Sequence, residues 1–243
     1  MQITELLFDC DNTLVLSEEL AFVACADLSN ELLESKGLSD RYTGPQLMET
    51  FVGQNFRGVV MGLQKKHGFT LEPKEVDDLV GQELGRVIAT LKEKAQPCVG
   101  VDAVLKKLHK EGKYGLAVVS SSALSRVQAS LEKVGQDKYF AKDHVFSAAT
   151  SLPVPTTKPD PAIYLHACKV VGKKPGECVA VEDSKSGATS GIRAGIPVIG
   201  YVGSYEGKMK QKEISEMMND LGVKVIMEDW ADFEKCLAKI EAM

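Results

Sequence analysis

The sequence lacks a hydrophobic run long enough to cross a membrane. A spanning helix needs roughly 18 or more consecutive apolar residues, and every apolar stretch here is interrupted well before that length. Residues 1–9 also carry no basic segment ahead of their apolar stretch, as a secretory signal would. We therefore expect an unexported, cytoplasmic protein with no membrane partner.

An excess of positive charge is also missing. The 29 lysines and arginines are outnumbered by 34 aspartates and glutamates, which gives a formal net charge of −5. Nucleic-acid binding draws most of its affinity from basic side chains that neutralise phosphates. Because acidic and basic residues are mixed along the chain, no strongly basic segment offsets this balance. We expect no nucleic-acid partner.

Closely spaced cysteine pairs are absent. The six cysteines are scattered along the chain and form no C-x-x-C motif, so the spacing typical of a structural zinc site does not occur. A chain of this length also needs no disulfide framework to fold. The sequence favours free, buried thiols in a reducing compartment, with zinc or disulfides as the less favoured alternative.

The composition is that of a folded protein. Hydrophobic residues make up 44% of the 243 residues and charged residues 26%, so the polar bias of a disordered chain is missing. The length suits one large domain or one domain that carries an insert.

Short runs rich in Val, Ile and Leu alternate with helix-like segments. This alternation predicts an α/β fold, a Rossmann-like doubly wound parallel sheet wrapped by helices. The predicted strands span residues 3–8, 115–119, 178–181 and 198–201, with weaker candidates at 145–147 and 223–227. The predicted helices span residues 101–111, 125–133, 161–171 and 184–194.

One segment breaks this alternation. Residues 17–96 show helical periodicity and polar loops but no convincing strand. A crossover between parallel strands needs only a dozen or more residues, so this segment predicts an α-helical cap subdomain inserted after the first strand. The predicted domains are an α/β core of residues 1–16 and 97–243 and a helical cap of residues 17–96.

Polar residues follow three of the predicted strands. Ligands of open parallel sheets bind beyond the carboxyl ends of the strands, and the residues found there are Asp9 and Asp11, Ser120 to Ser122, and Glu182 with Asp183. If the first and third of these strands are neighbours, up to four carboxylates meet in a small space. Such a cluster requires a hard cation or raised pKa values. Mg²⁺ suits it because its preferred ligands are oxygens.

Each of these signals is weak alone. A D-x-D triplet after an apolar run is usually a turn or a helix cap. The serine triplet could cap the helix that follows it, and Lys158 could be a solvated loop lysine. Their order along the chain is what makes them informative.

In that order, the residues resemble the four motifs of the haloacid dehalogenase superfamily. Residues 8–15 (FDCDNTLV) resemble the first motif, 118–120 (VVS) the second, 158–161 (KPDP) the third, and 181–184 (VEDS) with Gly187 the fourth. The insert is similar to the helical cap of the subgroup that includes β-phosphoglucomutase and sugar phosphate phosphatases. Asn12 stands where glycine is common, and Leu16 where aspartate is frequent. Asparagine tolerates a left-handed backbone better than most residues.

The resemblance implies a role for each matching residue. Asp9 would be the nucleophile, and Asp11 the acid that protonates the leaving group and then activates water. Ser120 and Lys158 would hold the phosphoryl oxygens, with Ser121 also binding substrate. The implied Mg²⁺ ligands are Asp9, Asp183, Glu182 and, through its backbone carbonyl, Asp11. In the cap, the polar cluster of Gly53, Gln54, Asn55 and Arg57 could contact substrate, although a solvated Arg57 is the commoner outcome.

The function implied is a Mg²⁺-dependent phosphatase, a phosphoric monoester hydrolase acting on a small phosphorylated metabolite such as a sugar or sugar-alcohol phosphate. A phosphosugar mutase resembling β-phosphoglucomutase is the alternative; that mutase places a histidine where this chain has Ala21. The hypotheses of a dehalogenase or a phosphonatase fit less well, because those enzymes normally lack the acid supplied by Asp11. A non-catalytic receiver-like module is a further alternative, but it would carry no long helical insert.

Overall fold

The structure is a computed structural model that describes residues 2–51 and 54–243. The chain divides into two compact units: unit 1 comprises Met1–Leu16 and Gln96–Met243, and unit 2 comprises Ser17–Ala95. Among the helices of the described residues, none combines the length and the apolar character that crossing a bilayer demands.

Unit 1 is built on a six-stranded parallel sheet with the strand order β5-β4-β1-β6-β7-β8. The chain runs from the central strand β1 outward on one side, and then returns to build the other side from β6. The strands are β1 (Glu5–Phe8), β4 (Gly115–Ser120), β5 (Val145–Ser147), β6 (Cys178–Glu182), β7 (Val198–Tyr201) and β8 (Val225–Met227).

Both faces of the sheet are covered, which explains why its strands are almost continuously apolar. Successive side chains of a strand point to opposite faces. Leu7 accordingly joins a core cluster with Ile163 and Ala188 from two of the helices. On the other face, the Phe8 ring lies 6.1 Å from that of Trp230 and 6.2 Å from those of Phe140 and Phe233.

The helices of unit 1 alternate with these strands, and glycines end several of them. Gly112 and Gly135 adopt positive φ angles of 61° and 69° where two helices end, a backbone that glycine accepts without strain. The helices are α5 (Val101–Glu111), α6 (Leu124–Val134), α7 (Ala162–Val170), α8 (Lys185–Arg193), α9 (Lys208–Asp220) and α10 (Phe233–Glu241).

A second, very small sheet marks the point where unit 1 is interrupted. Strand β2 (Val15–Leu16) pairs antiparallel with β3 (Gln96–Pro97), so that Leu16 faces Gln96. The chain therefore leaves unit 1 and re-enters it at two adjacent positions.

The described residues of unit 2 form four helices: α1 (Glu18–Ser35), α2 (Gly44–Thr50), α3 (Phe56–His67) and α4 (Pro73–Lys94). Their apolar faces form a core of their own, which includes Leu28, Leu47 and Leu63. Thr43 begins α2 with a capping box, because its hydroxyl accepts a hydrogen bond from Gln46 N while the Gln46 side chain accepts one from Thr43 N.

The predicted fold class is confirmed: the sheet is parallel and has helices on both faces. The main differences lie at the ends of elements. The first strand begins at Glu5 and the last at Val225, each two residues later than predicted. The six cysteines are all buried and form no disulfide within the described residues.

Candidate active site

The candidate site lies where β1 and β6 end side by side. Phe8, the last residue of β1, is the register partner of Val181, and Asp9 N donates a hydrogen bond of 3.0 Å to Val181 O. Asp9 therefore stands beside Glu182, the last residue of β6, and Asp183, which follows it. This is the point at which the strand order reverses, where open α/β sheets bind their ligands.

Three carboxylates are concentrated there. One oxygen each from Asp9, Glu182 and Asp183 lies within 4.8 Å of the others, and all three residues are buried. Like charges this close repel one another strongly when water is excluded. The cluster therefore requires positive charge nearby.

Lys158 supplies the first of these charges. Its Nζ donates to Asp9 Oδ1 and Glu182 Oε1, each at 2.6 Å, and to Val119 O at 2.7 Å. Burial by itself lowers the pKa of this amine, but the two carboxylates outweigh burial and hold the Lys158 pKa above its ordinary value. Lys158 is therefore a permanent cation in the site.

Asp9 has a strongly perturbed pKa. Burial raises the pKa of Asp9 to about 7; Lys158 opposes this rise, while Glu182 and Asp11 add to it. A carboxylate that is costly to ionise without further positive charge is typical of a site that is completed by a ligand. The charged form of Asp9 would therefore be stabilised by a bound cation in addition to Lys158.

Glu182 is held by two donors and a glycine. Its Oε1 accepts from Lys158 and also from the hydroxyl of Tyr164, at 2.6 Å, whose side chain on α7 is fully buried. Its Oε2 has no hydrogen-bond partner among the described atoms and lies against Gly187 of α8, where an added Cβ would overlap it. Gly187 therefore leaves room for this carboxylate.

Asp11 stands apart from the three-carboxylate cluster. Its Oδ2 accepts from Ser122 Oγ at 2.6 Å, and its Oδ1 accepts from Arg126 Nη2 at 3.0 Å. The backbone turns here through Asn12, whose φ of 57° is left-handed. Asparagine is one of the few residues other than glycine that adopts this conformation readily, so its presence in place of glycine preserves the turn.

The two predicted serines hold the loop after β4. Ser120 is buried, and its Oγ accepts from Ser122 N at 3.0 Å. Ser121 Oγ accepts from Lys158 N at 3.2 Å, which ties this loop to the segment that carries the lysine. Both serines therefore lie in unit 1 with the carboxylates.

The predicted substrate-binding residues of the insert belong to unit 2 and have partners there. Asn55 caps α3, because its side chain accepts a hydrogen bond of 3.0 Å from Gly58 N. Arg57 Nη2 pairs with Asp77 Oδ1 at 2.6 Å. Gly53 lies outside the described residues. Contact of Asn55 and Arg57 with substrate stays a prediction.

Cys10, between the two catalytic candidates, is fully buried. Burial raises its pKa well above the ordinary value, and the Asp11 and Asp9 carboxylates raise it further. The thiolate is therefore strongly disfavoured, in line with a packing role rather than a reactive one.

The acidic cluster fits a hard divalent cation. The three carboxylates of Asp9, Glu182 and Asp183 are opposed by Lys158, and the separate Asp11 carboxylate is paired with Arg126. When all are charged, these groups leave an excess of about two negative charges, which one divalent ion would balance. Carboxylate oxygens are the donors that such ions prefer. The arrangement can hold a phosphoryl group next to a nucleophile, a lysine and a cation.

Four residues that contact the carboxylates of the site were given no role by the sequence analysis. Ser122 and Arg126 contact Asp11, Tyr164 contacts Glu182, and the Tyr205 hydroxyl lies 3.3 Å from Asp183 Oδ2. No motif marks them, because their roles depend on where helices and loops meet the strand ends. Only Ser122 carried a usable signal, since it continues the serine run after β4.

Comparison with known proteins agrees with this geometry. A family model of haloacid dehalogenase-like hydrolases matches residues 6–195. The 6-phosphogluconate phosphatase of Escherichia coli strain K12 is 30% identical over 200 residues, which are 81% of each chain. The crystal structure of a predicted phosphoglycolate phosphatase from Haemophilus somnus has the same fold, with a TM-score of 0.75 at 24% identity over 97% of this chain and 98% of that one.

A putative β-phosphoglucomutase from Thermotoga maritima has a similar structure, with a TM-score of 0.72 at 25% identity over 96% of this chain and 99% of that one. The family model includes the four motif segments of the core, and the alignment with the E. coli relative covers 81% of this chain. They confirm the predicted family and the prediction of a phosphoric monoester hydrolase. This chain belongs to the haloacid dehalogenase-like hydrolase family.

Proposed function

We propose that the chain is a Mg²⁺-dependent phosphatase that hydrolyses a small phosphorylated metabolite, a sugar or sugar-alcohol phosphate. The observation that carries the proposal is the buried ion pair of Asp9 and Lys158 at the end of β1, surrounded by further carboxylates. The similarity to a 6-phosphogluconate phosphatase supports the choice of substrate class.

In this proposal Asp9 is the nucleophile. Its carboxylate attacks phosphorus, the bond between phosphorus and the substrate oxygen breaks, and an aspartyl-phosphate forms. Lys158 contacts Asp9 Oδ1, so its positive charge lies beside both the attacking carboxylate and the incoming phosphoryl oxygens. Charge on those oxygens is what such sites chiefly have to stabilise. Ser120 and Ser121 are proposed to add hydrogen bonds to the same group.

Asp11 is the proposed acid and base. It donates a proton to the departing alkoxide and, as a carboxylate, accepts a proton from the water that attacks the aspartyl-phosphate. That attack releases phosphate and regenerates Asp9. Because the Asp11 carboxylate lies outside the cluster of Asp9, Glu182 and Asp183, the proton transfer and the nucleophilic attack are assigned to different side chains.

Mg²⁺ would be held by Asp9 and Asp183, with the backbone carbonyl of Asp11 and the carboxylate of Glu182 contributing. When bound, the ion supplies positive charge that offsets repulsion between the nucleophile and the phosphate. Glu182 shares its Oε1 with Lys158 and Tyr164, so we assign it to positioning the lysine as well as to the metal.

The proposal is tested by turnover of p-nitrophenyl phosphate and a panel of phosphorylated sugars, polyols and short acids in Mg²⁺. We expect phosphate release that Asp9→Asn reduces by about 10³-fold or more, because the nucleophile is lost. Asp220→Asn, an exposed aspartate at the end of α9, is the matched control and should retain activity. Full activity in Asp9→Asn would contradict the assignment.

The mutase alternative has a separate readout. The likeness to a putative β-phosphoglucomutase favours examining it. Conversion of a hexose 1-phosphate to the 6-phosphate without phosphate release would replace the phosphatase proposal by this one. We expect release of phosphate instead.

A further inference from the structure

Both carboxylate oxygens of Asp11 accept a hydrogen bond, one from Arg126 and the other from Ser122, and we call these two contacts the clamp. Arg126 Nη2 lies 3.0 Å from Oδ1, and Ser122 Oγ lies 2.6 Å from Oδ2. The two charged side chains are about a fifth to a quarter exposed, at 21% for Arg126 and 24% for Asp11. This contact is therefore partly shielded from water, which strengthens an ion pair relative to one on the surface.

The groups that hold Asp11 are themselves anchored. Ser122 N donates to Ser120 Oγ at 3.0 Å, and Ser122 O accepts from Ser147 Oγ at 2.7 Å. Arg126 lies in the first turn of α6, which begins where Leu124 N donates to Thr150 Oγ1 at 3.2 Å. The clamp is thus connected to the ends of β4 and β5, two strands of the rigid sheet.

Electrostatics explains why Asp11 requires such a clamp. Asp9, two residues away, is negative when it acts as nucleophile, and Glu182 and Asp183 lie beside it with further carboxylates. Unrestrained, the Asp11 carboxylate would be repelled by the cluster and would rotate toward water. The Arg126 cation in contact with Asp11 Oδ1 offsets that repulsion and favours one orientation of the carboxylate.

We infer that Arg126 is a positioning residue that, with Ser122, orients the Asp11 carboxyl group, which when protonated donates its proton to the leaving alkoxide and becomes the carboxylate. The inference rests on the proposed function, because it gives Asp11 the role of acid. Arg126 acts through Asp11 and needs no contact with substrate.

The test compares phenyl phosphate with p-nitrophenyl phosphate, two esters of similar size. Phenolate is the poorer leaving group and depends more on protonation. Arg126→Met should therefore lower kcat/KM for phenyl phosphate about tenfold more than for p-nitrophenyl phosphate, a fraction of the 10²- to 10⁴-fold that a positioned acid contributes. Arg126→Lys keeps a cation and should recover part of the loss. An equal loss on both esters would overturn the inference.

A double-mutant cycle provides the second criterion. If Arg126 acts through Asp11, then Arg126→Met should cause no further selective loss on phenyl phosphate once Asp11→Asn is present. Arg86→Met, which breaks the ion pair with Glu31 in unit 2, is the control and should leave the ratio of the two esters unchanged. Independent, multiplicative losses for Arg126→Met and Asp11→Asn would refute the inference.

Failure of the proposed function gives a different result. If the wild-type chain hydrolyses neither ester, the phosphatase proposal fails, and with it the role of Asp11 as acid. The pairing of Arg126 with Asp11 is then tested by the urea midpoints of unfolding of four proteins: wild type, Arg126→Met, Asp11→Asn and the double variant. Non-additive shifts for Arg126→Met and Asp11→Asn support the pairing, and additive shifts overturn it.

Discussion

Glu5 is a buried carboxylate at the end of β1 opposite to the candidate active site. It is only 3% exposed, its Oε1 has no hydrogen-bond partner among the described atoms, and its carboxylate covers Gly115 on the adjacent strand. Burial raises the Glu5 pKa, although His144 and Lys173 act to lower it. The folded protein therefore binds this proton more tightly than the unfolded chain does.

The sign of the pH effect follows from this difference. Above its folded pKa, charged Glu5 lowers the free energy of unfolding, and the loss disappears as the pH falls below its ordinary pKa. Glu5→Gln removes the charge and keeps the shape. We expect it to raise the free energy of unfolding on the order of 1 kcal/mol at pH 7.5 and by less at pH 4.

Urea denaturation of wild type and variant at both pH values measures this effect. Glu132→Gln, at an exposed position of α6, is the control and should change stability little at either pH. A larger gain at pH 4 than at pH 7.5 would contradict the argument.

At the residue scale, the sequence predicts which residues lie near the ends of β1 and β6 better than it predicts which side chains contact one another. Asp9 and Asp183 could be predicted because each follows a strand end, whereas Lys158, in the loop between β5 and α7, could be predicted only from the order of the motifs. Arg126 could not, since nothing in a helical first turn shows which carboxylate it will face. The left-handed backbone of Asn12 was foreseeable from its residue type, and φ there is 57°.

The helix α8 illustrates how an element adapts to the site beside it. Gly187 lies in its first turns, and the Glu182 carboxylate occupies the space that a Cβ would need. Glycine inside a helix usually destabilises by about 0.5 to 1 kcal/mol relative to alanine. Here the steric conflict with a fully buried carboxylate outweighs that gain.

We therefore predict that Gly187→Ala lowers both the unfolding temperature and the phosphatase activity, because Glu182 has to move away from Lys158. Gly85→Ala in α4 is the matched control. A Cβ there meets open space, so the ordinary helix preference applies and the variant should be slightly stabilised. Thermal unfolding and p-nitrophenyl phosphate turnover test both variants, and a stabilised, active Gly187→Ala would disprove the steric argument.

Elements were predictable where a short apolar run or a helical apolar period stands out from the residues around it. Strand β7 and helix α5 have the predicted bounds, and several others differ by one or two residues. The two-residue strands β2 and β3 were not predictable, because they exist only through their pairing across the insert. Helices α9 and α10 were not predicted either.

For the whole molecule, the acidic cluster links metal binding to stability. Asp9 meets Glu182 and Asp183 only in the folded chain, since the unfolded chain separates it from that adjacent pair. Mg²⁺ should therefore raise the unfolding temperature, with a stabilisation of about 2.7 kcal/mol at a hundredfold excess over its Kd. Removal of the ion with EDTA should reverse the shift.

Asp183→Asn provides the discriminating variant for this prediction. It removes one proposed ligand and one negative charge, so we expect a more stable metal-free protein whose unfolding temperature responds weakly to Mg²⁺. Asp220→Asn should respond like wild type. Differential scanning fluorimetry measures the unfolding temperatures of the three proteins with and without Mg²⁺. Equal increases with Mg²⁺ in all three would indicate that the ion does not bind at this cluster.

The pairing of β2 with β3 bears on how such a protein can diversify. Leu16 and Gln96 face each other, so the two ends of the intervening segment are already joined by the scaffold that it interrupts. A short turn and a long helical segment would therefore connect β2 to β3 across the same distance. The inserted helices can thus be exchanged, extended or trimmed while the strands that carry Asp9 and Glu182 keep their register.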